Sequence, residues 1–251
     1  MRIVTFNIRC DYNQDGINSF QYRKPYITEK IQKEQPDILC FQEVLPHVAT
    51  WLKDTFLDYY FIGVGRNENY RDEQATIAYR KDKINLIEFE TFWLSPTPTI
   101  PGSRYENQSN CPRTCAAATF QRGDTGALFR VYNTHLDHEG SKARMLGLSQ
   151  IRERMEQDNN LLGLPSILLG DFNAEPDSPE MKEFHQHTDL TDVTSSLSYT
   201  FHNYGQEKDY EKIDYIYASE DIICKQVEIW AECINHVYLS DHYPICADLS
   251  F

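Results

Sequence analysis

The run Ile167-Leu168-Leu169-Gly170-Asp171-Phe172-Asn173 constrains this chain more than any other feature. Its aliphatic half reads as a buried strand, and its end delivers an acid and an amide to the strand tip. The side-chain period of two predicts that Asp171 and Asn173 face the same side. A carboxylate and an amide projecting together can hold a water and a phosphoryl oxygen, or help to hold a divalent cation. Farther on, Ser240-Asp241-His242-Tyr243-Pro244 adds a second acid and a titratable ring. Those groups suit the cleavage of a phosphate ester.

Strand and helix patterns alternate around this run. Strands are predicted over 2–8, 37–43, 59–62, 75–80, 84–93, 116–121, 127–135, 213–218, 226–231 and 244–251. Helices are predicted from Pro25 to Gln35, around Val48, Trp51 and Leu52, from Ser141 to Met155, and after the Ser178-Pro179 start signal. Lys81-Asp82-Lys83 reads as the turn of a hairpin, as does the stretch between Gly123 and Gly126. On the 141–155 helix, Met145, Leu148, Ile151 and Met155 form the apolar face, and Arg144, Arg152, Glu153 and Glu156 a solvated one. The segment from Ser95 to Arg113 is too long and irregular for an ordinary connection, so it reads as a substrate wall.

At 251 residues with no linker, one α/β domain over 1–251 is the expectation. The net charge of −14 disfavours tight, sequence-independent duplex DNA binding, which draws on counterion release. It favours a small or single-stranded phosphate ester. Seven scattered cysteines without zinc spacing read as reduced structural thiols. No apolar stretch is long enough to span a membrane, and Met1-Arg2-Ile3-Val4 reads as a strand, so the expected setting is the cytoplasm without a membrane.

Six segments then fall into order: Thr5-Phe6-Asn7, Gln42-Glu43-Val44, Asn133-Thr134-His135-Leu136-Asp137, Gly170-Asp171-Phe172-Asn173, Ile213-Asp214-Tyr215-Ile216 and Ser240-Asp241-His242. Together they resemble the endonuclease/exonuclease/phosphatase superfamily with its DNase I-like fold, nearest to the branch of deadenylases, nocturnin and small bacterial hydrolases. The resemblance runs from residue 3 to residue 249. It implies a four-layer α/β sandwich: two packed mixed sheets flanked by helices.

It also implies roles. Glu43 resembles the family's principal Mg²⁺ or Mn²⁺ ligand, with Asn7 and Asp241 beside the metal. His242 resembles the imidazole that meets the developing phosphoryl charge, and Asp214 the acid that fixes its tautomer. Asp171 resembles the residue that positions or deprotonates the attacking water, while Asn173 orients phosphoryl oxygens. His135 resembles a second histidine beside the phosphate, with Glu73 as its partner acid, and Arg113 and Asn133 as substrate contacts. Asp137 is read as a support for the site, and the remaining histidines as surface or structural.

The resulting expectation is a divalent-metal-dependent phosphoesterase acting on a phosphodiester or phosphomonoester of a nucleotide, short nucleic acid or other small ester. Abasic-site repair is disfavoured because Phe6-Asn7 and Val44-Leu45 stand where repair enzymes carry Trp-Asn and a Lys. The competing reading is a catalytically silent scaffold of the same fold. Glu43, Asp171 and His242, whose loss would mark such a member, are all present.

Overall fold

Along β1 (Arg2–Asn7), Ile3, Thr5 and Asn7 share one face, so the same stripe is aliphatic at its start and polar at its end. The computed structural model describes residues 1–251, the side chain of Glu207 apart. After β1 come α1 (Phe20–Glu34), β2 (Ile38–Val44), α2 (Pro46–Thr55), β3 (Tyr59–Ile62) and β4 (Gln74–Arg80). Next are β5 (Ile84–Trp93), β6 (Thr114–Arg122), β7 (Leu128–His135), α3 (Ser141–Leu161), β8 (Ser166–Asp171), α4 (Pro179–His187) and β9 (Thr191–Asp192). The chain continues through β10 (Asp214–Ala218), β11 (Ile223–Ile229), the short pair β12 (Cys233–Ile234) and β13 (Val237–Tyr238), and β14 (Ile245–Ser250).

These strands form two mixed six-stranded sheets, ordered β11-β14-β1-β2-β4-β3 and β5-β6-β7-β8-β10-β9. Only β1–β2 and β7–β8 pair in parallel, and each of those parallel steps is bridged by a helix. Three apolar cores glue four layers together. Between the sheets lie Ile3, Ile38, Ile77, Val131, Ile167, Ile216 and Ala247. Phe20, Ile27 and Ile31 of α1 and Val48 and Leu52 of α2 cover the outer face of the first sheet. Leu148, Ile151 and Met155 of α3, with Met181 and Phe184 of α4, cover the second. The result is the expected α/β sandwich. No helix among the described residues is long and apolar enough to cross a membrane.

Three expectations about local structure change. The turn at 81–83 does not close a hairpin, because β4 belongs to one sheet and β5 to the other. The strand-turn-strand pattern was right, but alternation alone carries no information on which sheet a strand joins. The first helix begins at Phe20, well before Pro25, which sits inside it. It is anchored there by Arg23, a fully buried guanidinium that donates to the carbonyls of Asn18, Ile8, Leu239 and Arg9. Finally, Arg144 is not on a solvated face: it holds Glu180 of α4 and the carbonyl of Asp137.

Candidate active site

The register of the second sheet sets His135, Asp171 and Asp214 abreast on adjacent strands, since β8 pairs His135 with Asp171 on one side and Asp214 with Asp171 on the other. All three lie on the face that, farther along the same strands, carries Val131, Ile167 and Ile216. The neighbouring Gly170 makes this row possible. Its φ is +141°, and a Cβ built there would lie 1.9 Å from the carbonyl oxygen of Thr134. The opposite sheet presents Asn7 from the end of β1.

Glu43 reaches the site by a local irregularity. Simple alternation would put it on the outer face with Leu39 and Phe41. Instead the β2–β4 register shifts between Phe41 and Val44, and Glu43 takes a φ of +61°. Such a bulge bends the strand and re-aims a side chain. The Glu43 carboxylate accepts from Asn7 Nδ2 at 2.9 Å and from the backbone N–H of Cys10 at 2.7 Å.

Asp171 is the hub. Its Oδ2 accepts from Asn7 Nδ2 at 2.8 Å and lies 3.5 Å from His135 Nε2 and 3.8 Å from His242 Nε2. Its Oδ1 accepts from the N–H of Asn173 at 2.9 Å. His242 Nδ1 makes a 2.8 Å hydrogen bond to Asp214. Atoms of Glu43, Asp171 and His242 come within 4.8 Å of one another, so these three groups could surround one cation.

The two imidazoles differ electrostatically. Burial acts to depress the pKa of His242, but the carboxylates of Asp214, Asp171 and Asp241 outweigh it and hold the ring up to about 10. His135 goes the other way: burial, with Arg113 beside it, pushes it well below its ordinary range, so it is neutral at pH 7. Burial and the nearby Asp214 raise Asp171 to about 7. Burial would raise Glu43 too, yet His135, the Asn7 amide, the Cys10 N–H and His242 together bring it well below the carboxylate range. Because His135 is itself uncharged, the two N–H donors and the charged His242 hold that anion.

The carboxylates of Glu43 and Asp171 have the chemistry to hold a hard divalent cation, and His242, its Nδ1 engaged by Asp214, presents Nε2 to the same space. The two other residues expected beside the metal make the following contacts. Asn7 turns its nitrogen toward both carboxylates, while its oxygen accepts the N–H of Arg9 at 3.0 Å, so it acts as a donor. Asp241 is engaged elsewhere, by Ser240 Oγ at 3.1 Å and by Arg9 Nε at 3.4 Å.

Other expected contacts are also redistributed. Asn173 does not share a face with Asp171: the strand ends at Asp171, Asn173 has a φ of +49°, and its amide donates to the Leu136 carbonyl. Asn133 is fully buried and cannot touch substrate; its amide accepts from Gln42 and donates to the carbonyls of Phe41 and Thr76, pinning the sheets together. Glu73 pairs with both terminal nitrogens of Arg66, at 2.8 and 2.9 Å, and makes no ion pair with His135. Arg113 is buried, with Nη2 2.8 Å from His138 Nδ1, Nε 3.7 Å from Asp137, and no hydrogen bond from Nε. It lines a small pocket with Glu43, Glu73 and His135.

The residues that hold Asp137, and several other supporting residues, carry no signal in the sequence. Asp137 accepts from Ser109 Oγ and from the N–H groups of Ser109 and Gly140, tying the 95–113 segment to the site. Thr200 Oγ1 accepts from the N–H groups of Ile213 and Asp214. Arg9 and Arg66 are likewise structural partners of site residues, of Asp241 and Glu73, and no local spacing marks them. Phe201 also went unread; its ring centroid lies 4.9 Å from that of His242.

The chain matches the model of the endonuclease/exonuclease/phosphatase family over residues 4–242. Among solved structures, an endonuclease/exonuclease/phosphatase from Bacteroides vulgatus is 34% identical, with a TM-score of 0.92, covering 100% of this chain and 98% of that one. A mannosyl-6-phosphatase from Bacteroides thetaiotaomicron is 28% identical, with a TM-score of 0.90 and full coverage of both chains. Nocturnin of Drosophila melanogaster is 29% identical over 64% of this chain, a stretch that spans only 25% of nocturnin.

Proposed function

Since the chain belongs to the endonuclease/exonuclease/phosphatase family, whose members hydrolyse phosphoesters, we propose that it is a divalent-metal-dependent phosphoesterase using Mg²⁺ or Mn²⁺. The observation that carries this reading is the pairing of a charged His242, held by Asp214 at 2.8 Å, with the carboxylates of Asp171 and Glu43 on the other side of one small space. A carboxylate pair alone could be a cation site, and a His-Asp pair alone could be a proton relay. Together they fit a phosphoryl group entering between a cation and a proton donor.

The residues divide the work. Glu43 and Asp171 would hold the cation, which supplies charge neutralisation at the phosphoryl oxygens. Asp171 orients a water and accepts its proton as the water oxygen bonds to phosphorus. His242 donates from Nε2 toward the phosphoryl group, and Asp214 keeps the ring's other nitrogen occupied. Asn7 fixes the two carboxylates relative to each other. Arg113, whose Nε makes no hydrogen bond, faces the same pocket as His135 and supplies positive charge from the second sheet.

Support for a small substrate comes from the acidic surface and from the likeness to the mannosyl-6-phosphatase; the partial likeness to nocturnin keeps nucleotide esters in view. All seven cysteines are free thiols, which suits the cytoplasmic setting proposed with this function. The test is a panel of phosphate monoesters and diesters with Mg²⁺, Mn²⁺ or chelator, run on wild type and His242→Ala. Metal-dependent turnover that falls by about 10³-fold or more in the variant is expected. Equal turnover in the two proteins would reject the assignment.

A further inference from the structure

One wall of the active site is built from residues that no catalytic role absorbs. Phe201 forms isolated antiparallel bridges with two partners, Glu211 on one side and His242 on the other. The backbone bonds fix the geometry: Phe201 and Glu211 exchange N–H···O bonds at 2.9 and 3.2 Å, while His202 N and Tyr243 N donate to Asp241 and Thr200 across the second step. Residues directly opposed in antiparallel pairs project to the same face. Glu211, Phe201 and His242 therefore stand in a row on one surface.

The Phe201 ring lies 4.9 Å from the imidazole, inclined at 60°, and remains partly open to solvent. Glu211 is exposed beside it and within electrostatic reach of Glu175, Asp209 and His242. Beyond the phosphate position the wall is thus an aromatic face followed by carboxylates.

We propose that Phe201 and Glu211 form the subsite for the organic part of the ester, and that this part is a neutral polyhydroxylated ring, making the substrate class a sugar phosphate and not a nucleic-acid strand. The inference rests on the phosphoesterase reading above and gives it a substrate class. The aromatic face accepts the C–H side of a saturated ring, whose hydrogens carry partial positive charge against the negative face of the π-system. A carboxylate, having only acceptors, takes hydroxyl groups from the ring's edge. A strand would instead bring further phosphates against Glu211, Asp209 and Glu175 and be repelled. In the reaction the water oxygen bonds to phosphorus, the bond from phosphorus to the sugar oxygen breaks, and the leaving oxygen ends protonated, so water is the only co-reactant.

The experiment compares kcat/KM for glucose 6-phosphate, methyl phosphate and a 5′-phosphorylated tetranucleotide, with Mg²⁺, in wild type, Phe201→Leu, Glu211→Gln and Glu211→Lys. Wild type should favour glucose 6-phosphate over each of the others by about tenfold or more. Glu211→Gln, at an exposed position that leaves folding intact, should cut its advantage over methyl phosphate about tenfold, chiefly through KM. Phe201→Leu should do the same, and Glu211→Lys should improve the tetranucleotide relative to glucose 6-phosphate. Release from all three esters with ratios that ignore both residues, or a wild-type preference for the tetranucleotide, overturns the subsite alone. No release from any ester with Mg²⁺ or Mn²⁺ overturns the hydrolase reading on which it stands.

Discussion

The space between the two sheets has two ends built on opposite principles from the same strands. At one end Ile3, Ile38, Ile77, Val131, Ile167 and Ile216 interlock without a polar atom in their side chains. At the other, the same inward stripes finish as Asn7, Asn133, His135, Asp171 and Asp214, all but His135 at most 2% exposed. Between them lies a seam of amides and hydroxyls in which Gln42 donates to both Thr5 and Asn133. The aliphatic end gains from every atom removed from water, about 25 cal/mol per Å². The polar end desolvates charges and recovers only part of that cost through pairing. One end stabilises the fold, and the other uses that stability to keep charges ready.

If this contrast is right, substitutions at the two ends should separate activity from stability. The largest effect is expected for Asp171→Asn. It removes a buried negative charge next to Asp214, so kcat/KM should drop by about 10³-fold or more while the melting temperature holds or rises by a few degrees. A variant that keeps its activity, or loses several degrees, breaks the comparison. Ile167→Ala should behave inversely, costing about 2–5 kcal/mol in denaturant unfolding while the folded protein keeps wild-type kcat.

The seam sharpens the contrast. Asn133→Leu should cost about 2–3 kcal/mol, because it removes the shortest acceptor of the Gln42 amide and the side-chain donor to the carbonyls of Phe41 and Thr76. Adding Gln42→Leu should restore part of that loss in a double-mutant cycle, as expected when both polar partners are replaced together. The smallest effect is a pH slope. Burial lowers His202, stacked 3.8 Å from Tyr243, from 6.5 to about 3. Its folded pKa is below the unfolded one, so its contribution is complete above about pH 6.5 and is lost as the pH falls toward 3. Between pH 6.5 and 5.5 the stability of wild type relative to His202→Phe should fall by roughly 1 kcal/mol. A gap independent of pH would remove His202 from the account.

Much of this plan was legible in the chain because strand periodicity and strand-end chemistry are both local. The stripe of Ile167, Leu169 and Asp171 states in three residues where the core stops and the site starts. The family likeness then supplied the layers. What was not legible depends on geometry that breaks the period. The bulge at Glu43 and the left-handed turn at Asn173 both reverse what alternation predicts, one bringing a side chain into the site and the other taking one away. Asn133 was misread because an amide buried between sheets and an amide facing substrate look identical in sequence. Glu73 went to Arg66, seven residues earlier in the same loop, through a close contact that only the folded loop creates.

The interleaving of the two sheets also has a consequence for biogenesis. β1 and β2 emerge early, but β14, which pairs with β1 along Arg2–Thr5, is translated more than two hundred residues later, just after His242. Until then β1 lacks its antiparallel neighbour, and the half holding Asn7 and Glu43 lacks the imidazole of His242. Contacts this distant in sequence form slowly and leave an open strand edge while they wait. A nascent chain stalled on the ribosome before residue 240 would therefore be a client for chaperones and not a premature hydrolase.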